Sequence, residues 1–224
     1  LGTVQNSLSS LQSALSSLAN VQTLSQRTVS SSSNSVQATA TNQAAIGNYS
    51  LSGIRLASAE NLISTGYASA SGSLGAGSLT FQVGSGSAVT LNVASGEDNL
   101  ADIAAAINQA NLGVSASVVF DGSKYNLSLT GNATGAANSF TVSGSGGLSA
   151  LTYDSSTQTM TEETLAQNAS FSLNGISIAS GSNTITGAIQ GLTLTLAASG
   201  SATLSVSQNV APLVQAAQSV VQAL

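Results

Sequence analysis

The first eighteen residues carry an apolar repeat that is typical of a helix packed against a partner. Apolar residues recur at alternating intervals of three and four, like the a and d positions of a heptad: Leu1, Val4, Leu8, Leu11, Leu15 and Leu18. The repeat slips at Val21 and Leu24, which come one position early and mark the end of regular coiled packing. The run 30–35 is then expected to be a linker or the rim of a strand.

The other end of the chain carries a second helical pattern. Asn209 is a plausible N-cap, and Pro212 lies near the first turn, where its missing N–H costs nothing. Four apolar residues follow at helical spacing: Leu213, Ala217, Val220 and Leu224. Neither helix can cover its apolar residues alone, so the pattern predicts that the two pair into a leg. Two unrelated surface helices are the open alternative.

Between these helices, polar and apolar residues alternate in many short runs, which predicts strands. The runs are 36–40, 49–54, 79–83, 89–93, 114–120, 125–129, 140–142, 169–173, 176–179, 192–196 and 202–206. Hairpin signals separate several of them, namely 84–87, Asp121-Gly122 and Asn174-Gly175. Short strands with Gly-rich turns favour antiparallel sandwiches over a parallel sheet.

One helix is predicted inside this β region. Asp98 or Asn99 can cap it, Asp102 falls in its first turn, and Gly113 lies just past its end. Its apolar stripe is Leu100, Ile103, Ala104 and Ile107. The strand–strand–helix–strand–strand order from 79 to 129 therefore predicts one compact α+β unit.

Charge is scarce in this chain of 224 residues. Charged residues make up 5%, and the three basic ones are Arg27, Arg55 and Lys124. Three scattered cations cannot neutralise the phosphates of a nucleic acid or hold an anionic membrane surface. No apolar run is long enough to predict a membrane span, and the start of the chain does not resemble a signal peptide.

The residues of common active sites are missing or isolated. The chain has no Cys and no His, which removes Ser–His catalysis and the usual thiolate and imidazole metal ligands. The eight acidic residues fit a helix start, turns and polar connections: Glu60, Glu97, Asp98, Asp102, Asp121, Asp154, Glu162 and Glu163. The Gly-rich run 72–77 lacks a phosphate-binding motif. We therefore predict no enzyme, no cofactor and no metal site.

The remaining candidate functional residues are apolar helix positions. We predict that they form a helix-packing and oligomer interface: Val4, Leu8, Leu11, Leu15, Leu18, Leu213, Ala217, Val220 and Leu224. The other helix positions are mostly Gln, Ser and Asn, so salt bridges cannot select the partner. Shape and apolar contact are expected to do so.

Three stretches of the chain carry a resemblance to a known family. Residues 44–51 with 56–59 resemble the entry into the head domains of flagellar filament caps. Residues 79–84, 99–108 and 113–118 are similar to a module shared by flagellins and caps. Residues 169–175, 182–185 and 191–196 resemble the returning half of the cap protein. The three in this order resemble the flagellar filament cap family, hook-associated protein 2.

The resemblance implies a structural function outside the cell. A cap works as a ring of several copies at the filament tip, where exported flagellin is folded and inserted. The chain would then be secreted without a cleaved signal peptide, and it would be a fragment that lacks the family's terminal regions. A role in cell adhesion is also conceivable on this reading.

The predicted fold is mainly β (α+β), with two β-rich domains, one inserted in the other, and a leg of paired terminal helices. The expected boundaries are a leg helix and linker over 1–35, a sandwich domain over 36–64 and 161–208, an insertion over 65–160 and a closing helix over 209–224. Strand 49–54 should then share a domain with strand 192–196.

Two other functions stay open on the sequence. A flagellin-like filament subunit would be structural too, but would polymerise through long terminal helices. A carbohydrate-binding adhesin would need clustered aromatic residues. The four tyrosines are too widely spaced along the chain to indicate such a cluster: Tyr49, Tyr67, Tyr125 and Tyr153.

Overall fold

The structure is a computed structural model that describes residues 2–19 and 26–222. Within these two ranges the α-helices are α1 (Gly2–Leu18), α2 (Leu100–Ala110) and α3 (Ala211–Gln222). The strands are β1 (Arg27–Ser31), β2 (Val36–Ala40), β3 (Gly47–Arg55), β4 (Asn61–Ile63), β5 (Gly77–Val83), β6 (Val89–Val93), β7 (Val114–Phe120), β8 (Tyr125–Gly131), β9 (Phe140–Gly146), β10 (Thr161–Thr164), β11 (Ala169–Leu173), β12 (Ile176–Ser180), β13 (Thr184–Thr186), β14 (Leu192–Leu196) and β15 (Gly200–Gln208). The mainly β fold class is confirmed.

The chain divides into two compact units. The first comprises Leu1–Arg55, Phe171–Ile178 and Asn183–Leu224. The second comprises Leu56–Ser170 and Ala179–Ser182. One unit is therefore inserted in the sequence of the other.

The first unit contains two sheets and the helices α1 and α3. One sheet has the strand order β1-β15-β3-β11-β12, and the other has the order β13-β14-β2. Their apolar residues alternate along the strands, so Leu192, Leu194 and Leu196 are buried while the threonines between them are more exposed. Strands β3 and β14, which come from distant parts of the sequence, both lie in this unit.

The second unit packs α2 with two sheets, ordered β10-β4-β8-β7 and β6-β5-β9. Its core is a single cluster of large apolar side chains that includes Leu62, Phe81, Leu129 and Phe140. The stripe predicted for α2 is the stripe that is buried: Leu100, Ile103, Ala104 and Ile107.

The caps of α2 follow the prediction at one end only. Asn99 is the N-cap, and its Oδ1 accepts the N–H of Asp102 at 3.0 Å. The helix ends at Asn111, which adopts the left-handed conformation with φ 49°. Gly113, the predicted end, has φ 80° and lies in the connection to β7. Asparagine tolerates the left-handed region, so it could end the helix two residues early.

The boundaries of the insertion differ from the prediction. Strand β4 pairs with β8, and β10 pairs with β4. Leu62 lies between Leu129 and Glu162 in this sheet and is completely buried in the second unit's core. These backbone bonds and this burial place 56–64 and 161–170 in the second unit, whereas the sequence assigns all of these residues to the flanking sandwich.

Four strands were not predicted from the alternation: β1, β4, β10 and β13. Each is short or polar. Three of them pair with a longer strand, namely β1 with β15, β4 with β8 and β13 with β14, and β10 pairs with β4. Part of the expected linker is accordingly ordered, since Arg27–Ser31 forms an edge strand. A segment of three to five residues carries too few positions for its period to be recognised.

Candidate functional site

The two terminal helices pack against each other within the first unit. Asn209 caps α3 as predicted, with its Oδ1 accepting the N–H of Ala211 at 3.2 Å. Among the α1 side chains that the structure describes, the buried one is Ala14, which is 8% exposed and borders the groove between the helices together with Ser219 and Gln222. A small side chain at this position lets the two backbones approach closely.

The leucines of the α1 repeat differ in how far the single chain buries them. Leu11 is half-buried, whereas Leu8 is 64% exposed and Leu15 is 49% exposed. Leu8 and Leu15 therefore leave much of their apolar surface uncovered in the single chain. We call Leu8, Leu11 and Leu15 the outer α1 stripe.

The predicted repeat of α3 is divided in a similar way. Leu213 and Val220, seven residues apart, are half-buried, and Ala217 is exposed. Ala217 lies instead in a groove with Val214 and Val221, which are 49% and 70% exposed. We call Val214, Ala217 and Val221 the outer α3 stripe.

Part of the predicted interface lies outside the described residues. This applies to Leu224 and to the side chains of Val4 and Leu18. Leu1, Val21 and Leu24, which the apolar repeat also involves, lie outside the described residues as well. The described positions bring Leu8, Leu11 and Leu15 together on one helix, and they separate Ala217 from Leu213 and Val220 on the other. The small side chain of Ala14 was the one sequence feature that could have indicated its position in the helix contact. The apolar repeat, which was based on larger residues, did not include it.

The two outer stripes have the character of an association surface. The outer α1 stripe lines a shallow groove of about 470 Å³ with Gln12, Ser16 and Ala19. Neither α1 nor α3 contains a charged residue. Large apolar side chains left in water on a helix face are stabilised when another surface covers them.

Between the helices runs a polar groove of about 670 Å³. It is bordered by serine and amide side chains: Asn6, Ser9, Ser10, Ser13, Ser219 and Gln222. Among the residues that the structure describes, no three His, Cys, Asp or Glu side chains come close enough to hold a metal ion. Within the same ranges, no helix is long and apolar enough to cross a membrane.

Most of the acidic residues have structural partners, as their sequence positions indicated. The Oδ1 atom of Asp121 accepts the N–H groups of Ser123 and Lys124, both at 2.8 Å, in the β7–β8 turn. These hydrogen bonds lower the pKa of the Asp121 carboxyl. Asp98 is buried, and its carboxylate accepts the hydroxyl of Ser73 at 2.7 Å.

The sequence did not reveal that the second unit contains a buried glutamate with a half-buried acidic neighbour. Glu60 is 2% exposed, and Glu162, which was placed in a polar connection, lies in β10 and accepts the hydroxyl of Tyr153 at 2.9 Å. The one signal for Glu60 was its place directly before the apolar run that becomes β4.

Two of the widely spaced tyrosines meet in the fold. Tyr67 and Tyr125 exchange backbone hydrogen bonds, both at 2.8 Å, and the ring of Tyr125 lies 4.8 Å from that of Phe120. The Phe120 side chain is 54% exposed at the end of β7. The two rings are tilted by 38° across the hairpin, a geometry that suits packing between paired strands.

Comparisons with known proteins match successive stretches of the chain to flagellar protein families. Family models described as the flagellar hook-associated protein 2 N-terminus, the flagellin hook IN motif and the flagellar hook-associated protein 2 C-terminus match residues 1–60, 78–133 and 166–223. The flagellar hook-associated protein 2 of Escherichia coli K12 is 32% identical over 198 residues, which are 82% of this chain and 42% of that protein. The chain thus spans less than half the length of this curated relative.

Solved structures show the same relationship. The crystal structure of the D1-D2-D3 domains of the flagellar cap protein FliD from Escherichia coli is similar with a TM-score of 0.81 and 32% identity, covering 99% of this chain and 66% of that one. The D2-D3 structure from the same organism has a TM-score of 0.78 and 33% identity, covering 83% of this chain and 100% of that one. With its two β-rich units and paired terminal helices, the chain belongs to the flagellar hook-associated protein 2 family.

Proposed function

We propose that this chain is part of the structural cap at the distal end of the bacterial flagellar filament. In this role it promotes the folding and insertion of exported flagellin subunits. It acts outside the cell, reaches the tip without a cleaved signal peptide, and has no catalytic activity. The observation that carries the proposal is the similarity over 99% of the chain to a flagellar cap protein of known structure.

The cap works as a ring of several copies, and the outer stripes supply apolar contacts for it. In the single chain, about half or more of the Leu8 and Leu15 side chains is exposed to water, so much of their apolar surface is not buried. Covering a leucine or valine removes it from water and contributes roughly 1.5–3 kcal/mol per fully buried side chain. A surface of this kind suits contacts with other copies or with the helical filament end.

The test is a double substitution, Leu8→Ser with Leu15→Ser, in the complete protein. Because both side chains are exposed in the single chain, the helix content and the unfolding midpoint should stay unchanged. Association measured by analytical ultracentrifugation should weaken by at least about tenfold, since roughly 1.4 kcal/mol of lost contact corresponds to that factor. In a motile strain lacking its own cap, the variant should support fewer and shorter filaments than the unchanged protein at equal secreted levels.

The matched control is Val89→Ser, which shortens a side chain that is 48% exposed in the second unit. It should assemble and support filament growth normally. Unimpaired filament growth by the Leu8/Leu15 variant would show that the outer α1 stripe does not supply contacts that the cap needs. Failure of the unchanged protein to associate or to support filaments in any such strain would overturn the cap function itself.

A further inference from the structure

Glu60 is a buried acidic side chain at a junction of the second unit. It lies directly before β4, the first strand of that unit, and is 2% exposed. Its Oε2 accepts the N–H of Phe140, the first residue of β9, and its backbone carbonyl accepts the N–H of Gly131 at the end of β8, at 2.9 Å. Glu60 therefore joins the sheet that contains β4 and β8 to the sheet that contains β9.

A second carboxylate shares this junction. Glu162 lies in β10 opposite Leu62 of β4, and its Oε2 accepts the Tyr153 hydroxyl at 2.9 Å. Tyr153 is itself bound to β9, because its backbone N–H and carbonyl pair with Val142 at 2.7 and 3.0 Å. The first and last strands of the unit, β4 and β10, thus both reach β9 through an acidic side chain.

Among the described residues, the charged and titratable groups that act on Glu60 are Glu162 and Tyr153, and none of them is a cation. Burial raises the pKa of the Glu60 carboxyl, the hydrogen bond from Phe140 partly opposes this, and the negative charge of Glu162 raises that pKa further. Burial and the hydrogen bond to Glu162 raise the pKa of Tyr153 to about 12, helped by the charges of both glutamates. The Tyr153 hydroxyl therefore stays protonated at neutral and acidic pH and continues to donate its hydrogen bond to Glu162.

We propose that Glu60 is a proton-operated clasp for the second unit. When Glu60 takes up a proton, the buried negative charge and its repulsion from Glu162 disappear, and the junction of β4, β9 and β10 tightens. When the proton leaves, two carboxylates without a cation face each other at this junction, and it loosens. The clasp is a device of this unit alone and does not depend on the proposed cap function.

The direction of the pH effect follows from the raised pKa. The folded chain binds the Glu60 proton more tightly than the unfolded chain does, so folding is favoured where that proton is bound. This stabilisation is complete below the ordinary glutamate pKa and is lost as the pH rises through the raised, folded-state value. The second unit should therefore open more readily at mildly alkaline pH than at mildly acidic pH.

The test is amide hydrogen exchange of Phe140 and Gly131 in the whole 224-residue chain, followed by NMR from about pH 5 to about pH 8 and expressed as protection factors. Protection at both amides should be several-fold higher at the acidic end, by up to about tenfold for each pH unit that separates the folded and unfolded pKa values. Glu60→Gln keeps an acceptor for the Phe140 N–H but cannot titrate. Its protection factors should change less than about twofold over the same range.

Two further variants keep the test decisive. Glu162→Gln removes the like charge and leaves Glu60 in place, so the midpoint of the protection change should move to lower pH, even if Glu60→Gln fails to fold. Glu163→Gln changes the exposed neighbour of Glu162 and should behave like the unchanged chain. A flat protection profile in the unchanged chain, the same profile in Glu60→Gln, or an unmoved midpoint in Glu162→Gln would each overturn the clasp.

Discussion

At the scale of single residues, asparagine side chains supply much of the polar bonding that charged groups supply elsewhere. Asn108 on α2 uses both ends of its amide, with Oδ1 accepting the N–H of Ala116 and Nδ2 donating to its carbonyl, both at 2.8 Å. Asn174 accepts the N–H of Ser50 at 2.8 Å and adopts φ 49° in the turn before Gly175. A neutral amide can donate and accept at once, and it incurs no cost of burying a charge.

The Asn108 bonds give a prediction at this scale. Asn108→Ala removes both hydrogen bonds to β7, and each contributes roughly 0.5–1.5 kcal/mol, so the free energy of unfolding should fall by about 1–3 kcal/mol. Asn108→Asp should cost at least as much, because a carboxylate would face the Ala116 carbonyl in place of a donor. Urea unfolding measures both, with Gln109→Ala on the exposed face as the control. An unchanged midpoint in both Asn108 variants would contradict the bonding seen here.

At the scale of elements, the helix pair shows what a periodic pattern specifies and what it leaves open. The apolar repeat of α1 predicts a helix, and Gly2–Leu18 is one. Among the α1 side chains that the structure describes, Ala14 is buried, whereas Leu8 and Leu15 stay largely exposed in the single chain. The repeat marks residues that need covering, but it does not state which surface covers each of them.

The helix pair also gives a prediction. Ala14→Leu would place a large side chain in the contact with α3, and overpacking of this kind typically costs about 1–3 kcal/mol. Amide exchange along α1 should then speed up by a factor that corresponds to that loss. Gln12→Leu adds a leucine at an exposed position of the same helix that does not border the groove between the helices, and it should leave exchange in α1 unchanged. Equal protection in the Ala14 variant would show that the helices do not meet through this face.

At the scale of the whole molecule, scarcity of charge limits the contacts that could hold the proposed ring of copies together. The sequence contains three basic and eight acidic residues, and Glu60 and Asp98 among the acidic ones are buried. Few charges remain for contacts with other chains, and exposed ion pairs contribute only about 0–1 kcal/mol each. Association should therefore rest on apolar area and neutral hydrogen bonds.

Salt dependence tests this reasoning. Raising the salt concentration screens exposed charges but does not weaken apolar burial, so the association constant should change less than about threefold between roughly 0.05 and 0.5 M NaCl. Analytical ultracentrifugation across this series measures it, and the Leu8/Leu15 double variant in the same buffers reports how much of the association the stripe supplies. Dissociation on modest addition of salt would show that charged contacts hold the copies together.

The sequence by itself determined what local periodicity can specify. Alternation located the longer strands, with Val89–Val93, Val114–Phe120 and Leu192–Leu196 at their predicted bounds, and the spacing of Leu100, Ile103 and Ile107 identified the buried face of α2. The absence of Cys and His and the order of the three family-like stretches likewise followed from the residues alone. Each of these depends on neighbours along the chain, whose geometry is fixed by the helix or strand they form.

The tertiary structure decided what depends on residues far apart. Strand β4 joins the second unit because it pairs with β8 and β10, which lie about 65 and 100 residues further along the chain. Glu60 meets Glu162 only because those strands pair, and Ala14 is buried only because α3 returns to it. Pairing and burial are set by the competition among all surfaces that could cover one another, and a periodic pattern states that a face needs a partner without stating which one.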